Sequence, residues 1–443
     1  MQLMKLSLKK CLSTATCALL GVTTQANANV LSDWNFDTAL MYYGEVNRVQ
    51  AEEGILNASK DFNNGKILNF GFVIDSLTGA SANGAVAQPT AQTFTTASGK
   101  IQKPSKQTDI PLDGSFKDTR AQASVQWTQP VFQNNTLSIG SHFSKETDYL
   151  SVGANANWAI DFNQKNTTLS LGVASSYDQV KPLGGIHDPL TLKFTNIAPT
   201  NFGGYEDGEG DGIDYNDSQV IPADGGIIAA SDNKTNNDLL LGLTQVINKR
   251  MLVQFNYSYT AVSGYMNDPY KILSVINNNG VTQEYRYENR PSNRTKQAFF
   301  IQSKYHFSNG VMGLSYRYMS DDWKIKSSTL DFHYHQNLIH GFYIEPHIRF
   351  YTQTAADFYQ PFLNNNDAVP QFASADYRLG ALDSYTVGIK VGTPKKNGQS
   401  MAFRLEYYMQ NAKNSGFAIP GILADEPVFQ GINAVVAQIS YTF

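Results

Sequence analysis

The chain has 443 residues, with 34 lysines and arginines against 38 aspartates and glutamates, and its net charge is -4 at pH 7. This acidic excess argues against nucleic acid as a partner, because phosphate binding needs a basic surface. The two cysteines, Cys11 and Cys17, both lie near the start of the chain. The remainder therefore has no disulfide, no thiolate nucleophile and no cysteine metal ligand.

Residues 1–28 have the layout of a cleaved secretory signal peptide. Three lysines precede an apolar run at 11–22, and the small-residue pattern at 26–28 predicts cleavage after Ala28. Export is therefore expected, with residues 29–443 forming one domain. No later segment approaches the roughly 18 consecutive apolar residues of a membrane helix.

Apolar residues on alternate positions predict strands throughout the rest of the chain. In the last stretch, 431–443, the apolar alternate positions are Val435, Ala437, Ile439, Tyr441 and Phe443. The segments 68–74, 251–260, 342–351 and 401–410 alternate in the same way. A soluble β-sandwich would give the same alternation. Strands of about 10 to 14 residues, however, favour a barrel that crosses a bilayer.

Turn chemistry predicts the number of strands. Tight turns rich in Asn, Gly and Lys are expected at seven places: 62–66, 129–135, 163–166, 248–250, 308–310, 337–341 and 393–399. Eight connections are expected at the opposite end, five of them long: 79–114, 179–234, 264–294, 357–376 and 413–430. We therefore predict an all-β, transmembrane antiparallel β-barrel of about sixteen strands. Its short turns would be periplasmic and its long loops extracellular, and its last strand would pair with the first, around 35–46.

Several segments resemble a known protein family. They are IDSLTGASANGAV at 74–86, DTRAQASVQWTQP at 118–130, SGYMNDPYKILSV at 263–275, YRYMSDDWKIKSSTLDFHY at 316–334, TAADFYQPFL at 354–363 and SADYRLGALDSYTVGIK at 374–390. This family comprises Gram-negative outer-membrane proteins catalogued only as a domain of unknown function. The final strand, ending on Phe443, is also similar to the closing strand and assembly signal of bacterial outer-membrane barrels. These resemblances imply a place in the cell outer membrane, with its lipid and the barrel assembly machinery as partners. They imply no catalytic residue.

An acidic loop at 206–217 is a candidate calcium site. Its carboxylates alternate with glycines, as oxygen ligands do in calcium loops, and comprise Asp207, Glu209, Asp211 and Asp214. The twelfth position of an EF-hand would be Ser218 instead of Glu, so the loop is not an EF-hand. A solvated acidic loop is the alternative, and no other cofactor is expected.

Five of the seven histidines fall within 306–347. His333 and His335 lie two apart on one predicted strand and therefore point to the same side, towards the lumen. With His306 they are expected near the periplasmic end of the lumen, where imidazoles could hold Zn or Cu. Polar lining of the lumen is the favoured alternative.

His142 and Ser144 invite comparison with outer-membrane phospholipases, which use a His and a Ser two apart on one strand. Here Leu137, Ile139 and Phe143 take the lipid side, so the pair is expected to face the lumen, away from a lipid substrate. No enzyme activity is expected.

Charged residues of both signs occupy strand positions that are expected to face the lumen: Lys304, Arg317, Asp331, Glu345, Arg349, Arg404 and Glu406. They indicate either an ion-paired, plugged interior or a weakly selective pore. The function expected first is porin-like passage of small solutes. The alternative is a non-conducting scaffold for periplasmic or surface partners, such as a redox or assembly system.

Overall fold

The computed structural model describes residues 33–90, 92, 109–193 and 226–443. The expected signal peptide and the acidic loop with Asp207, Glu209, Asp211 and Asp214 lie outside these residues. Within the described part of the chain, sixteen antiparallel strands close into one barrel, and the last strand pairs with the first. The predicted fold class and strand number are confirmed.

The barrel strands are β1 (Trp34–Glu45), β2 (Gln50–Asp61), β3 (Ile67–Ala82), β4 (Leu112–Phe132), β5 (Asn135–Lys145), β6 (Tyr149–Phe162), β7 (Thr167–Val180), β8 (Asp232–Asn248), β9 (Met251–Gly264), β10 (Asn293–His306), β11 (Gly310–Asp321), β12 (Lys326–Asn337), β13 (Tyr343–Gln353), β14 (Leu382–Gly392), β15 (Ser400–Ala412) and β16 (Ile432–Thr442). Each has at least 11 residues, enough to cross a bilayer when tilted.

Seven short turns join the strands at one end of the barrel, called here the short-turn end, at the predicted positions. The turn after β2 illustrates their chemistry. Asn63 and Gly65 both adopt the left-handed conformation, with φ of 59° and 76°, which these residue types reach at low cost. The Asn63 amide also donates a hydrogen bond of 2.8 Å to Asp61 Oδ1.

The five long connections lie at the other end, called here the loop end, and contain secondary structure of their own. Their short strands are Ile186–His187, Leu192–Lys193, Ile227–Ala229, Ile272–Ile276, Thr282–Tyr287 and Leu363–Asn364. Their 3₁₀ turns are Tyr377–Leu379 and Gly421–Asp425, whereas Asn163–Lys165 and Ile339–Gly341 form 3₁₀ turns at the short-turn end. Of the residues that the structure describes, no helix is long and apolar enough to cross a membrane.

The outside of the barrel wall is apolar and exposed. Typical exposed side chains are Phe70, Ile139, Leu171, Phe255, Ile348, Val387 and Leu405. In β16, Val435 and Ile439 are 39% and 44% exposed, which places the predicted apolar parity outside. An apolar belt of this extent fits the hydrocarbon of a membrane, and its polar alternate residues face the lumen.

The best-buried side chains lie in the loops instead of the wall. We call residues 83–90, 265–292, 354–381 and 413–431 the loop cap. Its fully buried residues include Leu273, Ile276 and Leu423, and all five residues of Ile272–Ile276 are buried. This strand lies inside a four-stranded sheet, and burial on both faces explains why it does not alternate.

A buried ion network holds two segments of the loop cap together. Arg290 lies 2.6 Å from Glu288 and 2.9 Å from Asp376. Asp376 also pairs with Arg378 at 2.6 Å, and Arg378 with Asp268 at 2.7 Å. Burial alone would raise the pKa of the Asp376 carboxyl, but Arg378 and Arg290 hold that pKa well below its usual range.

The loop cap covers inward-facing residues near the loop ends of β12, β14, β15 and β16. Ser327, Ser384, Gln410 and Ala434 are all buried. On the β11–β13 side the cap is anchored by Trp323, whose ring packs edge-on against Phe358 with centroids 5.0 Å apart. The loop end of the lumen is therefore occupied over this side.

Deletion of Phe443 should impair barrel assembly. Its backbone exchanges hydrogen bonds of 2.8 and 2.9 Å with Phe36 across the seam between β1 and β16, and the two rings stack at 5.2 Å. Losing these contacts should cost roughly 2–4 kcal/mol at the seam. The measurement is the heat-modifiable band in the membrane fraction. Phe443→Tyr, which keeps the ring, is the control, and an unchanged band after deletion would refute the prediction.

Asp376→Ala should loosen the loop cap and leave the barrel intact. Removing this carboxylate leaves Arg290 and Arg378 without their shared partner, a loss of about 3–5 kcal/mol when a buried pair is broken. Hydrogen exchange of the amides of Ile272–Ile276 should accelerate, while the barrel amides stay protected. Asp367→Ala, at an exposed position of the same loop, is the matched control and should change neither.

Candidate functional site

A cavity of about 810 Å³ runs along the inner wall formed by β1–β6. Asp37, Ser59 and Asn69 line it towards the short-turn end, and Glu146 and Tyr149 line it at the loop end. The cavity therefore extends along most of the height of the barrel on this side. Its volume falls in the range of small-molecule sites.

Neutral polar groups form in-register rows across the floor of this cavity. One row consists of Ser59, Asn69, Gln126, Gly140 and Asn155, each paired directly with the next across neighbouring strands. The next row towards the loop end consists of Asn57, Gly71, Ser124, His142 and Gly153. The wall here is a continuous surface of amides and hydroxyls, since strands lie only about 4.8 Å apart.

The glycines in these rows make room for their neighbours. A Cβ at Gly71 would lie 2.5 Å from Ser124 Oγ, and one at Gly153 would lie 2.3 Å from His142 Cε1. Both distances are shorter than van der Waals contact. Side chains of Ser124 and His142 can therefore lie flat over the glycines, which hollows the wall.

The cation in the cavity is neutralised by the wall itself. Arg120 Nε donates to Asp75 Oδ2 at 2.6 Å, and its Nη2 lies 3.6 Å from Glu53. Asp37 accepts a hydrogen bond of 2.6 Å from the Thr442 hydroxyl. The cavity thus offers hydrogen-bonding groups, and the one arginine that lines it is already paired.

A contact between the loop cap and the barrel rim lies beside the loop end of the cavity. Tyr270 of the cap donates a hydrogen bond of 2.5 Å to Asp148 in the turn between β5 and β6. Asp118, Glu146 and Asp148 converge there, and their carboxylates lie within 4.8 Å of one another. We call Asp118, Glu146, Asp148 and Tyr270 the latch.

Burial raises the pKa of two of the latch carboxyls, Glu146 and Asp148. Burial raises the pKa of Glu146 to about 7, and the adjacent Asp118 adds to the effect. Burial also raises the pKa of Asp148, although the bond from Tyr270 opposes this. Asp118 Oδ1 accepts hydrogen bonds from the backbone amides of both Thr119 and Thr147.

The facing wall, β12–β15, carries paired charges. His347 lies 2.9 Å from Asp331 and 3.0 Å from Glu406, and Arg404 lies 3.8 Å from Glu406. The expected mixture of inward charges is therefore organised into ion pairs here, with His347 at the centre.

The predicted histidine group is dispersed. His333 lies 3.6 Å from Asp331, and His335 lies 3.2 Å from both Glu345 and Asn337. His306 is exposed at the end of β10. Of the residues described, only the latch carboxylates form a group of three possible ligands within 4.8 Å. The structure gives His333 and His335 other partners, and metal binding by these histidines stays a prediction.

His142 and Ser144 both line the cavity. Their neighbours Ile139 and Phe143 are 53% and 48% exposed on the outer face. The pair therefore lies on the lumen side, at the position expected from parity.

Sequence reasoning did not find the latch or the ion network of the loop cap. The latch could have been found from register, because Ala121 pairs with Lys145 and so brings Asp118 near the 146–148 turn. The network joins residues about a hundred positions apart. The one local signal in this part of the loop cap is the segment Ile272–Ile276, which is apolar at every position except Ser274 and does not alternate.

Comparison with known proteins gives fold-level similarity to outer-membrane barrels. A bacterial polysaccharide outer-membrane secretin is 9% identical, with a TM-score of 0.41 over 93% of this chain and 98% of that one. Pseudomonas aeruginosa OccD3 (OpdP) is 10% identical, with a TM-score of 0.39 over 93% and 91%. The siderophore receptor PirA from Acinetobacter baumannii is 7% identical, with a TM-score of 0.40 over 86% of this chain and 53% of its own. At these scores none carries an argument about function.

A search of curated proteins finds no match. The family comparison matches residues 9–443 to the family described as protein of unknown function, DUF3570. The match covers nearly the whole chain and confirms the resemblance noted from the sequence. The chain belongs to the DUF3570 family.

Proposed function

We propose that this barrel lets small polar solutes cross the bacterial outer membrane, along the cavity on the β1–β6 wall and past the latch. The observation that carries the proposal is the extent of the cavity, from Asp37 and Ser59 near the short-turn end to Glu146 at the rim. An aqueous route inside a sixteen-stranded barrel needs no chemical step, and the proposal includes none.

The position of the loop cap supports gated passage. On the β11–β13 side it is held by packing around Trp323 and by Gln353, whose amide donates to the carbonyls of Arg378 and Gly380. On the β5–β6 side it meets the rim through the Tyr270–Asp148 bond. The weaker attachment thus lies over the cavity.

A non-conducting scaffold is the second candidate. The observation that favours it is the core of the loop cap, where Leu273, Ile276 and Leu423 are fully buried. A folded cap of this kind could present a fixed surface to a partner. Conductance distinguishes the two functions, because a scaffold would be silent.

Thiol labelling tests the route directly. Because both cysteines lie at or before residue 17, Gln126→Cys introduces a single thiol into the processed chain. We expect single-channel current in planar bilayers and a marked fall in that current after a charged, water-soluble thiosulfonate reacts with this thiol. Ile139→Cys, at an outward-facing residue of the neighbouring strand β5 that does not line the cavity, is the matched control and should be unaffected. A silent wild-type barrel would refute passage, and equal currents before and after labelling of Gln126→Cys would refute this route.

The latch predicts a pH-dependent current. Glu146 has a pKa of about 7 in the closed contact and should return towards about 4.3 once solvated. The closed contact therefore binds the proton more tightly. The resulting stabilisation of the closed contact over the open state is complete below about pH 4 and is lost as pH rises to about 7. Open probability should be higher at pH 8 than at pH 5.

Two variants check this mechanism. Glu146→Gln cannot ionise, and it should abolish the difference between pH 5 and pH 8. Tyr270→Phe removes the hydroxyl that binds Asp148, and it should raise open probability at both values. Asp367→Asn on the cap surface is the control. A pH response that persists in Glu146→Gln would show that another group controls it.

A further inference from the structure

The amide side chains of the cavity are free to bind a ligand. Five of them line it: Asn57, Asn69, Gln122, Gln126 and Asn155. In the part of the chain that the structure describes, none makes a side-chain hydrogen bond to protein, and none has a buried unsatisfied atom. Each amide offers two donors and an acceptor to whatever fills the cavity.

Their arrangement is fixed by the sheet. Asn69 and Gln126 are directly paired, and Asn155 follows across Gly140, so the three amides lie along one row. From β3 to β6 this row spans three strand spacings, about 14 Å. Strands hold such groups more rigidly than loops do, which lowers the entropic cost of binding.

The charges of the cavity select against anions. Arg120 is neutralised by Asp75 and Glu53, and Asp37 already accepts a bond from Thr442. An anion entering this wall would lose water without gaining an opposite charge, because Arg120 is already paired and the other charged residues that line the cavity, Asp37 and Glu146, are acidic. An uncharged solute with several hydroxyl groups would instead match the amides, since each hydroxyl both donates and accepts.

We propose that the cavity on the β1–β6 wall is a binding site for uncharged, polyhydroxylated solutes of saccharide size. Gln126, Asn69 and Asn155 would contact the solute hydroxyls directly, with Ser124 and Ser151 beside them. This site deepens the proposed function, because it names the class of solute that the route favours.

Binding is measured on the purified barrel in detergent, so that it does not depend on passage. The probes are maltose and its aldonic acid, maltobionate, which differ in charge at nearly the same size. Titration followed by saturation-transfer NMR should detect maltose and should show binding of maltobionate at least tenfold weaker. Gln126→Ala should weaken maltose binding about three- to tenfold, the range for one lost hydrogen bond.

Two further variants test whether the loss of maltose binding is specific to the amides that line the cavity. Asn155→Ser shortens a second amide of the same row and should weaken maltose binding to a similar degree. Gln302→Ala removes an inward amide of β10 that does not line the cavity, and it should leave maltose binding unchanged. The heat-modifiable band verifies that each variant is folded.

The possible outcomes distinguish failure of this binding site from failure of the proposed solute passage. No maltose binding, equal binding of maltobionate, or equal loss in Gln302→Ala and Gln126→Ala would each overturn the assignment of the site. A barrel that conducts but does not bind maltose would overturn this site and leave passage standing. A barrel that binds maltose as expected but carries no current would uphold the site and refute passage.

Discussion

Closure of the barrel between β1 and β16 is the constraint on which the rest of the structure depends. In hydrocarbon every backbone N–H and C=O must be paired within the protein, so the seam cannot remain an open edge. Pairing runs from Asp37 with Thr442 to Glu45 with Ala434, and Phe443 continues it to Phe36. Once the sheet is closed, each strand must turn one face to lipid and the other to the lumen. The apolar residues of the wall are then outside, and a conventional core can form only among the loops.

Much of this follows from local sequence, and the prediction succeeded where local rules apply. Turns such as the one at Asn63 and Gly65 fix where strands reverse, and two-residue alternation fixes which side of β16 meets lipid. The loop cap could not be derived in this way. Ile272–Ile276 lacks alternation because both its faces are covered, and Arg290 meets Asp376 only through the folding of two separate loops. Nothing within either loop specifies that contact.

The candidate site, too, follows from local sequence rules only in part. Inward parity placed His142 and Ser144 on the lumen side, and the register then puts Asn57 and Ser124 in the row of His142. The alternation of the sequence could not reveal which inward polar side chains already have hydrogen-bond partners in the protein. His347 is hydrogen-bonded to Asp331 and Glu406, whereas the five amide side chains that line the cavity make no side-chain hydrogen bond within the described part of the chain. The two walls of one lumen therefore differ in what they can offer a solute, and only the side-chain geometry distinguishes them.

The strength of the contacts within the cap, relative to its contact with the rim at the latch, decides where the cap would open. Breaking a buried ion pair such as that of Asp376 costs about 3–5 kcal/mol, whereas one hydrogen bond to a charged group contributes only about 1.5–3 kcal/mol. The Tyr270–Asp148 bond also competes with repulsion among three carboxylates, which grows as Glu146 ionises. The cap should thus stay folded as a unit and separate first at the latch. That separation would uncover the loop end of the cavity, so the weakest contact of the cap coincides with the entrance to the proposed route.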